Sequence, residues 1–234
     1  MTEVGRVVAL WRYPVKSMAG EALDEVEVSW HGFLGDRRWA FVQEDLVRSD
    51  FPWLTIRERP QMWHYTPFFA QPERPDKSPT LVRTPAGEEL EVTDPALAAE
   101  LGGGVRLIKQ NRGVFDIAPL SLITTQTVGG IAGLAGADLT PNRFRPNLLV
   151  EASGGDGFPE DGWVGAVLRI GGFSMRVDQR DQRCVMINVD PATTERDPSI
   201  LKTAGRERDT CLGVYGTTVQ PGRVAVGDPV VREG

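Results

Sequence analysis

Short apolar runs, several of them alternating with polar residues, recur along the whole chain. Residues 7–11 are apolar and rich in valine, and residues 26–30 alternate between apolar and polar positions. Because successive side chains of a β-strand point to opposite faces, such runs are typical of strands with one buried face. The same reasoning predicts strands at residues 38–42, 81–83, 90–92, 147–150, 166–170, 173–177 and 185–189, and a strand, a turn and a closing strand within residues 223–231.

Helical signals are few. Residues 95–101 are rich in alanine and leucine, with Asp94 placed as the N-cap, Pro95 in the first turn and Gly102 after the last turn, so a short helix is predicted. A second helix is predicted at residues 125–134, although this segment contains three glycines. With 26 Gly and 17 Pro between the short apolar runs, the chain is predicted to form a mainly β sandwich or barrel with a few short helices.

The composition of the chain excludes several classes of function. The chain has 234 residues, a net charge of −6 and 41% hydrophobic residues, which is typical of a folded protein and argues against a general binder of nucleic-acid polymers or membrane surfaces. Two cysteines are too few for a disulfide framework or a four-cysteine iron–sulfur or zinc site. The first residues show no signal-peptide pattern and no apolar run has membrane-spanning length, so we expect a cytoplasmic protein.

Cys184 is the first candidate for chemistry. It follows Arg183 and lies near Arg180, and nearby positive charge should favour the thiolate, which is a nucleophile and a soft metal ligand. The alternative is a small buried hydrophobic residue, the use also expected for Cys211. His31 and His64 are not in metal-ligand spacing, and structural roles are the better interpretation for both.

Three further segments have the side chains of an anion site. Lys16 and Ser17 follow the first strand, Arg37 and Arg38 open another, and residues 143–147 read Arg-Phe-Arg-Pro-Asn. Ammonium, guanidinium and hydroxyl groups bind phosphate, and Asn147 offers both a donor and an acceptor. If Arg37 and Arg38 lie on an alternating strand, at most one of them faces a given site. Solvated loops and surface ion pairs are the alternatives, also for Arg57.

Together these segments resemble the MOSC domain family, the molybdenum-cofactor sulfurase C-terminal domain, including its N-terminal β-barrel extension. The matching pieces occur in the family's order, at residues 13–17, 35–39, 55–60, 144–147, 183–184, 189–191 and 226–228. The resemblance implies an N-terminal β-barrel-like domain at residues 1–115, packed on a MOSC β-barrel at residues 116–234. Residues 111–119 are the segment between the two.

The resemblance also implies a molybdenum cofactor, molybdopterin, held between the two halves. Cys184 matches the molybdenum ligand and the expected catalytic residue. The positions that match or lie within the cofactor-contacting segments are Lys16, Ser17, Arg37, Arg57, Ser121, Arg145, Asn147 and Arg183. Asp181 is a departure, because relatives of the amidoxime-reducing type often have a cysteine there.

Two functions follow from the resemblance and a third stays open beside them. The first is an oxidoreductase that converts N–O to N–H in small N-hydroxylated substrates and takes electrons from a separate ferredoxin or flavin reductase. The second is a carrier of the cofactor or of sulfur, with Cys184 as the persulfide site. The third is a scaffold in which Cys184 only packs. No iron–sulfur cluster is expected in this chain, nor pyridoxal phosphate, since 234 residues leave no room for the desulfurase domain of the full sulfurase.

Overall fold

The mainly β prediction is confirmed by a computed structural model, which describes residues 1–155 and 157–233. The strands are β1 (Thr2–Arg12), β2 (Glu21–Leu23), β3 (Glu25–Ser29), β4 (Gly32–Phe33), β5 (Trp39–Gln43), β6 (Thr66–Phe69), β7 (Thr80–Arg83), β8 (Glu89–Glu91), β9 (Val105–Lys109), β10 (Leu120–Thr124), β11 (Leu148–Ala152), β12 (Val167–Ile170), β13 (Phe173–Gln182), β14 (Cys211–Gln220), β15 (Gly222–Ala225) and β16 (Pro229–Arg232). The α-helices are α1 (Pro95–Glu100), α2 (Thr125–Ala135) and α3 (Pro198–Arg208), and short 3-10 turns occupy Glu44–Leu46, Pro60–His64, Pro141–Phe144, Pro159–Trp163 and Val185–Asn188.

A closed barrel of seven strands forms the larger unit. Its strand order is β11-β10-β14-β13-β12-β16-β1, and β1 pairs back with β11, so the sheet has no free edge between them. Only the β10–β11 pair within the barrel is parallel among the described strands. Alternate residues of these strands fill the interior, among them Val7, Leu10, Leu122, Val150, Met175, Val177 and Val214.

A second core belongs to the first half of the chain. The β5–β9 pair, the β6–β7–β8 sheet and α1 enclose it. Its buried residues include Val15, Phe41, Ile56, Met62, Trp63 and Leu97.

Each half of the chain pairs one of its strands with strands of the other half. β1 is part of the barrel built mainly from the second half, and β15 pairs with β3 from the first half. Both ends of the chain therefore bind the halves together. The predicted division at residue 115 stays a prediction.

Both predicted helices are confirmed. Asp94 Oδ1 accepts a hydrogen bond from Ala96 N at 2.8 Å, which caps α1 as expected. In α2 the capping residue is Thr124, and Gly136 ends the helix in the left-handed conformation with a φ of 63°.

The strand predicted at residues 185–189 is wrong, because this segment is a 3-10 turn over Val185–Asn188. Its apolar side chains do not alternate between exposed and buried positions, as they would along a strand. Instead Ile187 N bonds back to Cys184 O at 3.2 Å, and Arg143 Nη1 donates to Ile187 O at 3.2 Å. Apolar side chains alone do not distinguish a buried turn from a strand.

Seven elements were missed by the sequence reasoning, namely strands β2, β4, β6, β9, β10 and β14 and helix α3. Helix α3 has a signal in Asp197, whose Oδ1 accepts from Ser199 N at 2.9 Å, followed by Pro198 in the first turn. Strand β14 contains Gly213 and Gly216, which disguise its period. A Cβ at Gly216 would lie 2.3 Å from Arg176 O, so the close approach of β13 requires glycine.

No helix among the residues described is both long and apolar enough to cross a membrane.

Candidate functional site

One cleft brings together all nine residues that the sequence singled out. Its wall includes Lys16, Ser17, Arg37, Arg57, Ser121, Arg145, Asn147, Arg183 and Cys184. These positions come from both halves of the chain, and their roles toward a ligand stay predictions. The wall also contains residues that the sequence reasoning did not assign to a site, of which Phe51, Asp116, Asp181 and Tyr215 matter most.

Cys184 lies just after β13, at the start of the 3-10 turn, and is partly buried. Arg57 Nη2 donates a hydrogen bond to its Sγ at 3.2 Å. The predicted neighbours are directed elsewhere. Arg183 donates to Leu212 O and Phe144 O, both at 2.7 Å, and Arg180 donates to Arg208 O at 2.8 Å. The cation at the sulfur is therefore Arg57, which is 127 positions away in the chain.

Arg57 is itself held from two sides. Its guanidinium lies over the Phe51 ring, 4.8 Å from the centroid, and its carbonyl accepts from Arg196 Nη2 at 2.6 Å. Burial lowers the pKa of Arg57, but the hydrogen bond to Cys184 and the charge of that sulfur outweigh it and raise the pKa overall. Arg57 therefore stays positively charged beside the thiol.

The two cysteines are expected to react at different rates. Burial raises the pKa of Cys211, whereas Cys184 lies in the cleft with Arg57 on its sulfur. Since the thiolate is the reactive form, iodoacetamide near neutral pH should label Cys184 first. Peptide mass spectrometry over time measures both rates in one sample, with Cys211 as the internal control. Faster labelling of Cys211 would contradict the assignment.

Lys16 is buried and already paired. Its Nζ forms an ion pair with Asp116 and donates to Val114 O at 3.2 Å. Burial lowers the pKa of Lys16, and the Asp116 carboxylate partly opposes that change. A carboxylate thus stands beside the ammonium group that was predicted to hold a phosphate.

Arg37 lies in a turn before β5 and not on an alternating strand as expected. Its guanidinium pairs with Asp36 and donates to Arg145 O at 3.1 Å. Arg38 pairs with Asp76 and does not line the cleft. Only Arg37 of these two arginines lines the cleft, and the turn before β5, not strand alternation, directs it there.

The oxygen and the nitrogen of the Asn147 side-chain amide are both hydrogen-bonded to other residues of the protein. Its Oδ1 accepts from Ser121 N at 3.2 Å and from Arg37 Nη1 at 3.4 Å. Its Nδ2 donates to Asp36 Oδ2 at 3.0 Å and to Trp11 O at 3.2 Å. The residue is fully buried, so its geometry indicates that it holds the floor of the cleft together.

Arg145 is stacked between two aromatic rings. Its guanidinium carbon lies 4.3 Å from the Tyr13 centroid and 4.8 Å from the Trp63 centroid. Its Nη1 donates to Met18 O at 2.7 Å, while its buried Nη2 has no hydrogen-bond partner in the described part of the chain. Burial lowers the pKa of Arg145 to about 10, which leaves it charged at neutral pH. The two N–H groups of Nη2 therefore remain unpaired within the described residues and can bind a ligand.

Three of the six non-glycine residues with a positive φ in the described part of the chain line the cleft. Ser17, Arg37 and Arg145 adopt left-handed conformations with φ of 67°, 48° and 51°. Such conformations cost a non-glycine residue of the order of 1 kcal/mol, and they are found where the surroundings hold a side chain in a required position. The Ser17 hydroxyl makes no hydrogen bond to any described residue, so it too is open to a ligand.

The charge of the cleft is positive although the chain is acidic. Six cationic side chains line it, namely Lys16, Arg37, Arg57, Arg143, Arg145 and Arg183, against the carboxylates of Asp116 and Asp181. Within residues 1–155 and 157–233, no group of three or more His, Cys, Asp or Glu side chains is arranged to hold a metal ion. The arrangement suits an anionic ligand beside a thiol, and a metal here would need ligands from outside the protein.

Known proteins match both halves of the chain. The model of the MOSC domain matches residues 110–231, and the model of the MOSC N-terminal beta barrel domain matches residues 4–106. Human mitochondrial amidoxime reducing component 2 is 24% identical over 99% of this chain and 84% of its own length. Molybdenum cofactor sulfurase of Caenorhabditis briggsae is 25% identical over 97% of this chain but only 36% of its own length.

A solved structure has the same fold. The YUAD protein of Bacillus subtilis superposes with a TM-score of 0.53 at 13% identity, over 97% of this chain and 94% of its own. The resemblance seen in the sequence is thereby confirmed, since the MOSC match alone spans more than half of the chain. The chain belongs to the MOSC domain family and includes the family's N-terminal β-barrel domain.

Proposed function

We propose that the cleft binds a molybdenum cofactor and that the protein uses it to reduce N-hydroxylated compounds, with Cys184 as a ligand of the metal. The observation that supports this most is the convergence of the one cleft thiol with six cations from distant parts of the chain. A soft thiolate suits molybdenum, and the cations suit the phosphate of a pterin cofactor. Names of full-length relatives refer to amidoxime reduction, in agreement with this proposal.

The donor groups of the cleft fit such a cofactor. The open Nη2 of Arg145 and the open hydroxyl of Ser17 would bind its phosphate or pterin oxygens, with Lys16 close by. Arg37, Asn147 and Arg183 would act mainly by holding other cleft residues, because their hydrogen bonds go to the protein. When bound, the cofactor supplies the two-electron redox chemistry that breaks an N–O bond. A separate ferredoxin or flavin reductase would deliver the electrons.

The test is turnover by the metal-loaded protein. Protein from a host that makes the cofactor is expected to contain molybdenum and to convert benzamidoxime to benzamidine with a reduced viologen dye. Product is measured by chromatography, with metal-free protein as the control. A molybdenum-loaded protein that reduces neither benzamidoxime nor hydroxylamine with any donor would refute the reductase proposal.

The second candidate is a carrier of cofactor or sulfur, with Cys184 as the persulfide site. It is favoured by the match of almost the whole chain to a molybdenum cofactor sulfurase. Incubation with a cysteine desulfurase and cysteine would then add one sulfur atom to Cys184, seen as a mass increase of its peptide. Cys211 is the internal control for unspecific sulfuration.

Removing the internal partner of Lys16 should strengthen anion binding. The variant Asp116→Asn is expected to bind inorganic pyrophosphate up to about fivefold more tightly, because Lys16 loses its competing carboxylate. Isothermal titration calorimetry measures the affinity. Asp76→Asn is the matched control, since Asp76 pairs with Arg38 away from the cleft. Equal or weaker binding by Asp116→Asn would show that the anion does not use Lys16.

A further inference from the structure

Asp181 is a buried carboxyl group beneath the cleft that contains Cys184. It lies near the end of β13, is fully buried and lines the cleft. One carboxyl oxygen, Oδ2, pairs with Arg183 Nη2 at 2.8 Å and accepts from Ser121 Oγ at 3.3 Å. The other, Oδ1, has no hydrogen-bond partner in the described ranges. Buried polar atoms without partners are rare in folded proteins, so Oδ1, with the Tyr215 side chain beside the carboxyl group, is the oxygen left for a molecule in the cleft.

The proposed reaction needs protons as well as electrons. An N–OH group takes up two electrons and two protons, the N–O bond breaks, and the products are N–H and water. The external reductant supplies the electrons, and groups at the site must pass on the protons. The arginines of the cleft stay protonated near neutral pH, and Lys16 is bound to Asp116 and Val114.

We infer that Asp181 is the proton donor of the cleft, delivering one of the two protons to the oxygen or nitrogen of the N–O group through Oδ1. This inference rests on the proposed reductase function. Arg183 and Ser121 hold Oδ2, which fixes the carboxyl group and leaves Oδ1 as the atom that exchanges the proton.

The surroundings keep a proton available on Asp181. Burial raises its pKa to about 6, while Arg183, Ser121, Tyr215 and Arg37 oppose the increase. Two titratable groups on the paired strand β14, the Tyr215 hydroxyl and the Cys211 thiol, also interact with it. Because the protonated form is the donor, turnover should fall as the pH rises through this range. An anionic ligand in the cleft would shift the fall to higher pH.

The experiment compares molybdenum-loaded wild type, Asp181→Asn and Asp178→Asn by steady-state kinetics between about pH 5 and 8. Asp178 is the matched control, since it lies on the same strand and bonds to Arg176 at the surface. Asparagine keeps the shape and one oxygen for Arg183 but cannot give up a carboxyl proton. Asp181→Asn is expected to lose about 100-fold in kcat at pH 6, with KM and metal content unchanged and the pH-dependent fall abolished. Asp178→Asn should behave as wild type.

Three results would overturn the inference. Wild-type kcat and pH profile in loaded Asp181→Asn would show that Asp181 gives no proton. Loss of molybdenum from Asp181→Asn would assign the residue to ligand binding instead. A molybdenum-loaded wild type without turnover refutes the reductase function itself, and the proton donor with it. Normal wild-type turnover with an unchanged variant refutes only the role of Asp181.

Discussion

Cys184→Ala is expected to lose at least 90% of the bound molybdenum and all measurable amidoxime reduction while keeping its fold. Cys184 is the one thiol of the cleft, and within the described residues no alternative group of three metal-ligating side chains exists. Without the thiolate, the cleft would offer the metal no anionic sulfur ligand, because the other sulfur in its wall is the neutral thioether of Met186. Metal analysis and benzamidoxime turnover measure the two losses, and circular dichroism checks the fold.

Cys211→Ala is the matched control for this variant. Cys211 lies at the start of β14 outside the cleft wall, and its Sγ donates a hydrogen bond to Asp209 O at 3.5 Å. It should retain metal and activity. Equal molybdenum in wild type and Cys184→Ala would remove Cys184 from the ligand role. Retained metal with lost turnover would instead leave Cys184 with a part in the chemistry only.

Asn147→Leu is expected to cost about 3 kcal/mol of stability, which is the largest effect on folding among the cleft variants. The leucine has a similar size but leaves buried partners of the amide, the Ser121 N–H and the Trp11 carbonyl among them, without their hydrogen bonds. Each unsatisfied buried group costs about 1–3 kcal/mol. Urea unfolding should show a lower midpoint with an unchanged slope.

The matched control is Asn142→Leu in the same loop, where the side chain is exposed. Its effect should stay within about 0.5 kcal/mol. If Asn147→Leu were as stable as wild type but lost cofactor, Asn147 would be a ligand contact, as the sequence first suggested. Loss of stability without the cofactor present supports the structural role.

The order of the strands along the chain was largely visible in the sequence. Alternation and apolar runs gave most of β1, β3, β5, β12 and β13, and capping residues gave α1. These signals are local, since side-chain period and end capping depend on residues a few positions apart. Local signals failed at β2, β4, β6, β9 and β10, and also where glycines interrupt β14 and where an apolar run at residues 185–189 packs as a turn.

The nine residues that the sequence singled out, through the family resemblance and their chemistry, all line the cleft, but their contacts were not predicted. The sequence suggested Arg183 as the cation beside Cys184, whereas Arg57 occupies that place. It suggested Lys16 as an unpaired group for binding phosphate, whereas Lys16 forms an ion pair with Asp116. Such pairs join residues that are about 100 positions apart, and no spacing rule reaches across that distance.

By itself, therefore, the sequence determined the β class and the family and, through the family resemblance, nine of the residues that line the cleft, because each follows from residue types and their order. Only the tertiary structure decided that β1 closes the barrel and that Arg57 donates a hydrogen bond to the Cys184 sulfur. It also decided that the side-chain amide of Asn147 is hydrogen-bonded within the protein. It also left Asp181 with one unpaired oxygen beneath the cleft. Hydrogen bonds and ion pairs act over a few ångströms, so their partners are set by the folded arrangement and not by distance along the chain.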